Sequence, residues 1–267
     1  MPLLAGYMVP HPPIAVPEIG RGEEQKITDT LASFDEVACD IARIKPDTIV
    51  LTSPHSILYR DYFHISPGES AIGDFSRFGA RRVSFNVRYD EELARAIADE
   101  ADASGLQAGF EGERDPLLDH GTTVPMYFIN KRYSDYKLVR IGLSGFSLQT
   151  HYDFGKAIRR AIDKTDRRVV FVASGDLSHC QKEDGPYGYQ KEGPIYDEKI
   201  MSVMGSGDFK SLLQFDEGLL DASMECGHRS FTIMGGAFDG THFDTKQLSH
   251  EATFGVGYGF CIYHPEV

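Results

Sequence analysis

The sequence has no closely spaced cysteines: Cys39, Cys180, Cys226 and Cys261 are widely scattered and form no Cys-x-x-Cys pair. That excludes a disulfide framework and a zinc ribbon, and points to free thiols in a reducing cytoplasm. No secretory leader is expected, because the opening MPLLAGYMVPHPP has neither a basic start nor a long apolar run. No apolar segment approaches the length of a membrane span. Basic residues are outnumbered, with 27 Lys and Arg against 40 Asp and Glu, for a formal net charge of −13. Such a chain repels nucleic-acid phosphates and anionic headgroups, so neither nucleic acid nor membrane is expected as a partner. The twin arginines Arg81-Arg82 and Arg167-Arg168 are isolated and read as solvated charges at strand edges. No linker, repeat or low-complexity run interrupts the chain.

What is present is a chain with enough apolar residues, 41% of the total, for one sizeable core, so residues 1–267 are expected to form a single domain. Residues 3–8 read as a short apolar strand that breaks at Pro10. Over 24–44 the positions Ile27, Leu31, Phe34, Val37, Ile41 and Ile44 recur at helical spacing. The β-branched run 48–52 and the run RVVFVA at 168–173 read as buried parallel strands. Helices are expected over 91–103, 150–163, parts of 195–213 and 231–238, and strands over 83–87, 138–143 and 254–263. Alternating strands and helices predict an α/β fold, a mainly parallel or mixed central sheet with helices on both faces. In such sheets the ligand crevice lies beyond the carboxyl ends of the strands.

Three histidines, His11, His55 and His179, each closely follow a predicted strand. His11 and His55 sit in proline-containing turns, and proline restricts the backbone so that an imidazole is aimed before a metal arrives. Two imidazoles and one carboxylate on one face of an ion leave open positions, an arrangement that suits iron(II). Zinc(II) fits the same ligands as a tetrahedral site with one water. Glu225 is the carboxylate candidate, and a helix N-terminal charge is its plainer explanation. Cys226 competes with it as a ligand, and a thiolate there would favour zinc or copper. His64, His151, His242, His250 and His264 are given no role. His228 reads as structural, and Tyr187 and Tyr189 in the loop 184–194 read as a lid or rim.

These residues fall in a recognisable order: PHPP at 10–13, SPHS at 53–56, DHG at 119–121, SGDLSH at 174–179 and ECGHRSF at 225–231. The set resembles the catalytic B subunit (LigB-like) superfamily of class III extradiol ring-cleavage dioxygenases, which also includes Memo-like proteins. The resemblance implies iron binding by His11, His55 and Glu225, an acid/base role for His179 and a substrate contact for His120. It implies a small catechol-type aromatic substrate and O2, a homo-oligomer, and an AMMECR-type or radical-SAM partner. Memo-like relatives place a cysteine in the segment that holds Glu225 and Cys226, which keeps a non-oxygenase metalloenzyme or a metal- and protein-binding module open on the same scaffold. An imidazole titrating near ~6.5 suits His179 for proton transfer, worth on the order of 10²–10⁴ in rate. Asp176 either orients an active-site histidine or caps the next segment. Asp119 either fixes the His120 tautomer or simply belongs to a turn.

Overall fold

The computed structural model describes residues 2–266. In chain order they form β1 (Leu3–Val9), α1 (Pro17–Gly20), α2 (Thr28–Ile44), β2 (Thr48–Ser53), β3 (Phe63–His64), β4 (Ser70–Phe75), β5 (Ala80–Arg88), α3 (Glu91–Ala103) and β6 (Ala108–Gly109). The second half adds α4 (His120–Asn130), β7 (Lys137–Gly142), α5 (Leu148–Asp163), β8 (Val169–Ser174), α6 (Glu192–Ser206), α7 (Glu217–Ser223), α8 (His228–Ala237), β9 (Phe243–Glu251) and β10 (Tyr258–Pro265).

The central sheet has the order β7-β2-β8-β1-β10-β9. Its first four strands are parallel, and β10 and β9 add antiparallel. It is therefore mixed. The sequence explains the layering. All six residues of TIVLTS in β2 and of VVFVAS in β8 are buried, as strands covered on both faces must be. Within β8, Val169, Phe171 and Ala173 join a core with Ile97 of α3, Ile158 of α5 and Phe231 of α8. Val170 and Val172 face the other way, into a core with Phe34 and Ile41 of α2 and Phe128 of α4. Among the described residues, no helix is long and apolar enough to cross a membrane.

Two expectations change in detail. The strand expected at 83–87 exists, but β5 pairs with β4 in a separate hairpin. The helical segments expected over 195–213 are there, α6 ending where Gly207 takes a left-handed φ of 72° and a 3-10 turn following at Phe209–Gln214. The terminal strand starts at Tyr258, not at 254, and its neighbour β9 has no clean apolar alternation to announce it.

The part of this fold that positions chemistry is the carboxyl edge of β1, β8 and β2. Helix α8 is clamped on α5 because Gly155 and Gly236 leave no room for a side chain: a Cβ on either would collide with backbone carbonyls of the other helix. At the end of β8, Gly175 meets Gly227 with the same closeness. The two contacts bring the turn before α8 against the ends of β1 and β8.

Candidate metal centre

His11 lies two residues beyond β1, His55 two beyond β2, and Asp176 two beyond β8. The pair His11 Nε2 and His55 Nε2 is 3.0 Å apart. Cys226, carried in by the Gly175–Gly227 contact, puts its Sγ 3.5 Å from His11 Nε2. Nitrogen, nitrogen and sulfur all lie within 4.8 Å of one another, with His11 buried, Cys226 half-buried and His55 exposed at the mouth.

The tautomer of His11 follows from its neighbours. The Ser174 hydroxyl donates its proton to the Gly121 carbonyl at 2.6 Å. It must therefore accept at its other contact, 2.9 Å from His11 Nδ1. Nδ1 carries the hydrogen, and Nε2 offers its lone pair toward His55 and Cys226. Asp176 accepts the His11 backbone N–H at 2.7 Å, and its second oxygen is 3.8 Å from His11 Nε2. Its own backbone N–H donates to Cys226 Sγ at 3.3 Å.

His179 is fixed by similar logic. Its Nδ1 contacts the Met224 carbonyl, and a carbonyl can only accept, so Nδ1 is protonated and Nε2 is bare. Met224 holds the left-handed φ of 52° that ends α7 and turns this carbonyl to the histidine. The Tyr187 ring lies edge-on to His179 with centroids 5.1 Å apart. His120, the first residue of α4, stacks on His55 at 4.0 Å and meets Phe78 at 5.4 Å. Among the described residues no hydrogen bond joins Asp119 to His120. Asp119 caps α4 by accepting the Thr122 N–H at 3.1 Å, and it accepts the Ser53 hydroxyl at 2.5 Å. That same hydroxyl accepts the His55 N–H at 3.2 Å, which ties the turn after β2 to the start of α4.

Glu225 is placed differently from its neighbour. Its carboxylate accepts the His228 N–H at 2.6 Å, the first amide of α8. It is Cys226 whose donor atom joins the two histidines. His228 is buried, donating from Nε2 to the Leu212 carbonyl at 2.9 Å. Ser174 and Phe78 were not singled out from the sequence. Ser174 is the last residue of a buried strand, where a hydroxyl needs a partner, and that was the available signal.

The electrostatics match a centre built for a cation. Burial, then the neighbouring His55, His120 and His179, hold His11 well below the ordinary imidazole range. Burial and His55 bring His120 down to about 4, and burial lowers His179. In the opposite sense, burial pushes Asp176 up to about 7 and Glu225 up to about 7. Burial, with Asp176 and Glu225 close by, raises the Cys226 thiol well above its usual value. Neutral imidazoles are the form in which histidine ligates a metal, and a bound cation would deprotonate the thiol. A cavity of about 360 Å³ opens beside the cluster, lined by His55, Arg77, Phe78, Leu118, Asp119 and His120 among others.

Comparison with known proteins gives the chain's family and fold. Over 97% of its length the chain is 38% identical to Protein CA_C1420 of Clostridium acetobutylicum, of which it spans 57%. It is 24% identical to the 2-aminophenol 1,6-dioxygenase beta subunit of a Pseudomonas species, covering 96% of this chain and 92% of that subunit. A MEMO1 family protein of Pyrobaculum aerophilum is 24% identical over 82% of this chain and 73% of its own. In fold, the chain resembles an uncharacterized protein of Escherichia coli K12, with a TM-score of 0.65 at 13% identity, covering 97% and 99% of the two chains. Residues 5–261 match the family described as the catalytic LigB subunit of aromatic ring-opening dioxygenase, and the chain belongs to that family.

Proposed function

We propose that this chain holds one divalent metal, iron(II), through His11, His55 and Cys226, and that it carries out dioxygen-dependent chemistry on a catechol-type aromatic ring. The convergence of two imidazole Nε2 atoms 3.0 Å apart with a thiol 3.5 Å away supports the metal site, and membership of the ring-opening dioxygenase family supports iron and the aromatic substrate. Bonds of about 2.0–2.3 Å to nitrogen and sulfur are reached from such an arrangement with small side-chain adjustments. When bound, the iron would supply the electronic path between an aromatic ring and dioxygen that the two lack by themselves.

The protein's own groups do the rest. The ring enters the cavity against Phe78 and His120. His179 accepts the proton of a ring hydroxyl at its bare Nε2 and returns it as the ring opens. Its Nδ1–H stays on the Met224 carbonyl throughout, so the imidazole does not rotate during the exchange. His120, neutral at working pH, hydrogen-bonds the substrate without adding charge beside the cation.

A second reading has a specific observation behind it. Glu225 is engaged with the α8 amides and the soft ligand Cys226 stands in the cluster, which favours zinc or copper held without oxygen chemistry, as in a Memo-like metal-binding protein. One experiment separates the two. The protein is purified without oxygen, its metal content measured, iron(II) added, and oxygen uptake followed with a panel of catechols. Uptake that disappears in His179→Ala while iron is retained supports the first reading. Tight zinc or copper with no uptake for any catechol overturns it and supports the second.

A further inference from the structure

The histidine-lined cavity is not alone in reaching the centre. A second hollow, of about 370 Å³, reaches it through Cys226 and is lined by Pro54, Leu58, Leu143, Ser144, Glu225 and Arg229 around that cysteine. Arg229 is out of keeping with the other arginines that are not exposed. Arg140 has Glu113 and Asp119, Arg159 has Asp163, and Arg167 has Asp90. Among the described residues none accepts a hydrogen bond from Arg229, and its Nε is shielded from solvent without a partner. The adjacent acid, Glu225, is turned to the α8 amides instead. A shielded guanidinium donor without an acceptor is costly, and such groups mark a place for a missing partner.

We propose that this hollow binds a small amphipathic monocarboxylate, with its carboxylate on the Arg229 guanidinium and its apolar body against Pro54, Leu58 and Leu143. The planar fork of arginine matches a carboxylate, and Pro54, Leu58 and Leu143 offer an apolar wall to the remainder of the ligand, with Ser144 beside them. A dianion such as phosphate is disfavoured, because Glu217, Asp221 and Glu225 line the adjoining hollow around the same arginine. Because Cys226 lines the site, an occupant lies beside the centre without using the His120 cavity. The proposal does not depend on which metal the centre takes.

Benzoate is the probe, and benzamide its neutral counterpart of the same shape. Binding is measured by calorimetry and ligand-observed NMR, on metal-free and on cobalt(II)-loaded protein. Benzoate is expected to bind both forms equally and at least tenfold tighter than benzamide. Arg229→Met should weaken benzoate at least tenfold and leave benzamide unchanged. Leu58→Trp, at a position 57% exposed, fills the hollow without touching Arg229 and should weaken both. Arg81→Met, on the distant hairpin, should change neither. Equal affinity for benzoate and benzamide overturns the proposal. So does benzoate binding that is absent, that needs the metal, or that survives both Arg229→Met and Leu58→Trp.

Discussion

At the scale of single residues, the centre depends on which atoms are already occupied. Ser174 gives its proton to Gly121, and this decides that His11 presents Nε2 as a bare nitrogen. Ser174→Ala keeps every ligand in place and removes that decision. Loss of such a supporting hydrogen bond typically weakens metal affinity by about 10–100-fold, and a titration with cobalt(II) measures it. The neighbours Glu225 and Cys226 supply a sharper test. Cys226→Ser should abolish the thiolate-to-metal charge-transfer absorption of cobalt-loaded protein, whereas Glu225→Gln should preserve it. An unchanged absorption in Cys226→Ser would remove the thiol from the ligand set. The ambiguity between these two residues was unavoidable in the sequence. They are consecutive in a turn, so their side chains diverge, and the one held by the α8 amides cannot also face His11. The histidines were legible because each follows a continuous apolar run.

At the scale of elements, the site is assembled by two helix starts pressed against three strand ends. Asp119 caps α4 and, through Ser53, holds the turn that carries His55. Asp119→Ala should lose about 1 kcal/mol for the cap, a fall of roughly 2–4 °C in melting temperature for a chain of this size. It should also weaken metal binding, because the His55 turn is released. Helix α8 tests the same idea from the other side. Gly236→Ala drives a methyl into the Tyr152 carbonyl, and overpacking of this kind costs about 1–3 kcal/mol. If α8 delivers Cys226 to the centre, Gly236→Ala also reduces metal affinity. A variant that melts early but binds cobalt(II) normally would separate the helix from the site. The long elements were readable from periodicity: α2, α3 and α5 carry an apolar stripe, and β2 and β8 are continuous apolar runs. β9 was not, because a half-exposed edge strand of sequence FDTKQLSHE has no periodic signal. Nor could local pattern reveal that β5 leaves the central sheet for its own hairpin, since partner choice is a tertiary property.

At the scale of the whole molecule, burial has left opposite titrations in one fold, and they set how stability responds to pH. His151 and His228 are fully buried, and burial brings each down to about 4. An unfolded histidine titrates near ~6.5. Their contribution is therefore complete above that value and is lost as pH falls toward 4, because the unfolded chain takes up protons that the folded one refuses. Asp176 and Glu225 act in the reverse sense. Each is raised to about 7, so each contributes most below the ordinary carboxylate range and loses that contribution as pH rises toward 7. In metal-free protein the histidines outweigh the two acids, because His11, His120 and His179 are lowered as well, so the melting temperature should fall as pH drops from about 6.5 toward 4. Metal adds to this trend. Its ligands bind only as neutral imidazole and thiolate, so acidification releases it, and with it a stabilisation of about 2.7 kcal/mol at a free metal concentration of 100 times Kd. Melting temperatures of metal-loaded and metal-free protein should thus be well separated at pH 7 and converge as pH falls toward 4.5. Curves that stay parallel across that range would mean that the stabilising ion is not held by His11, His55 and Cys226.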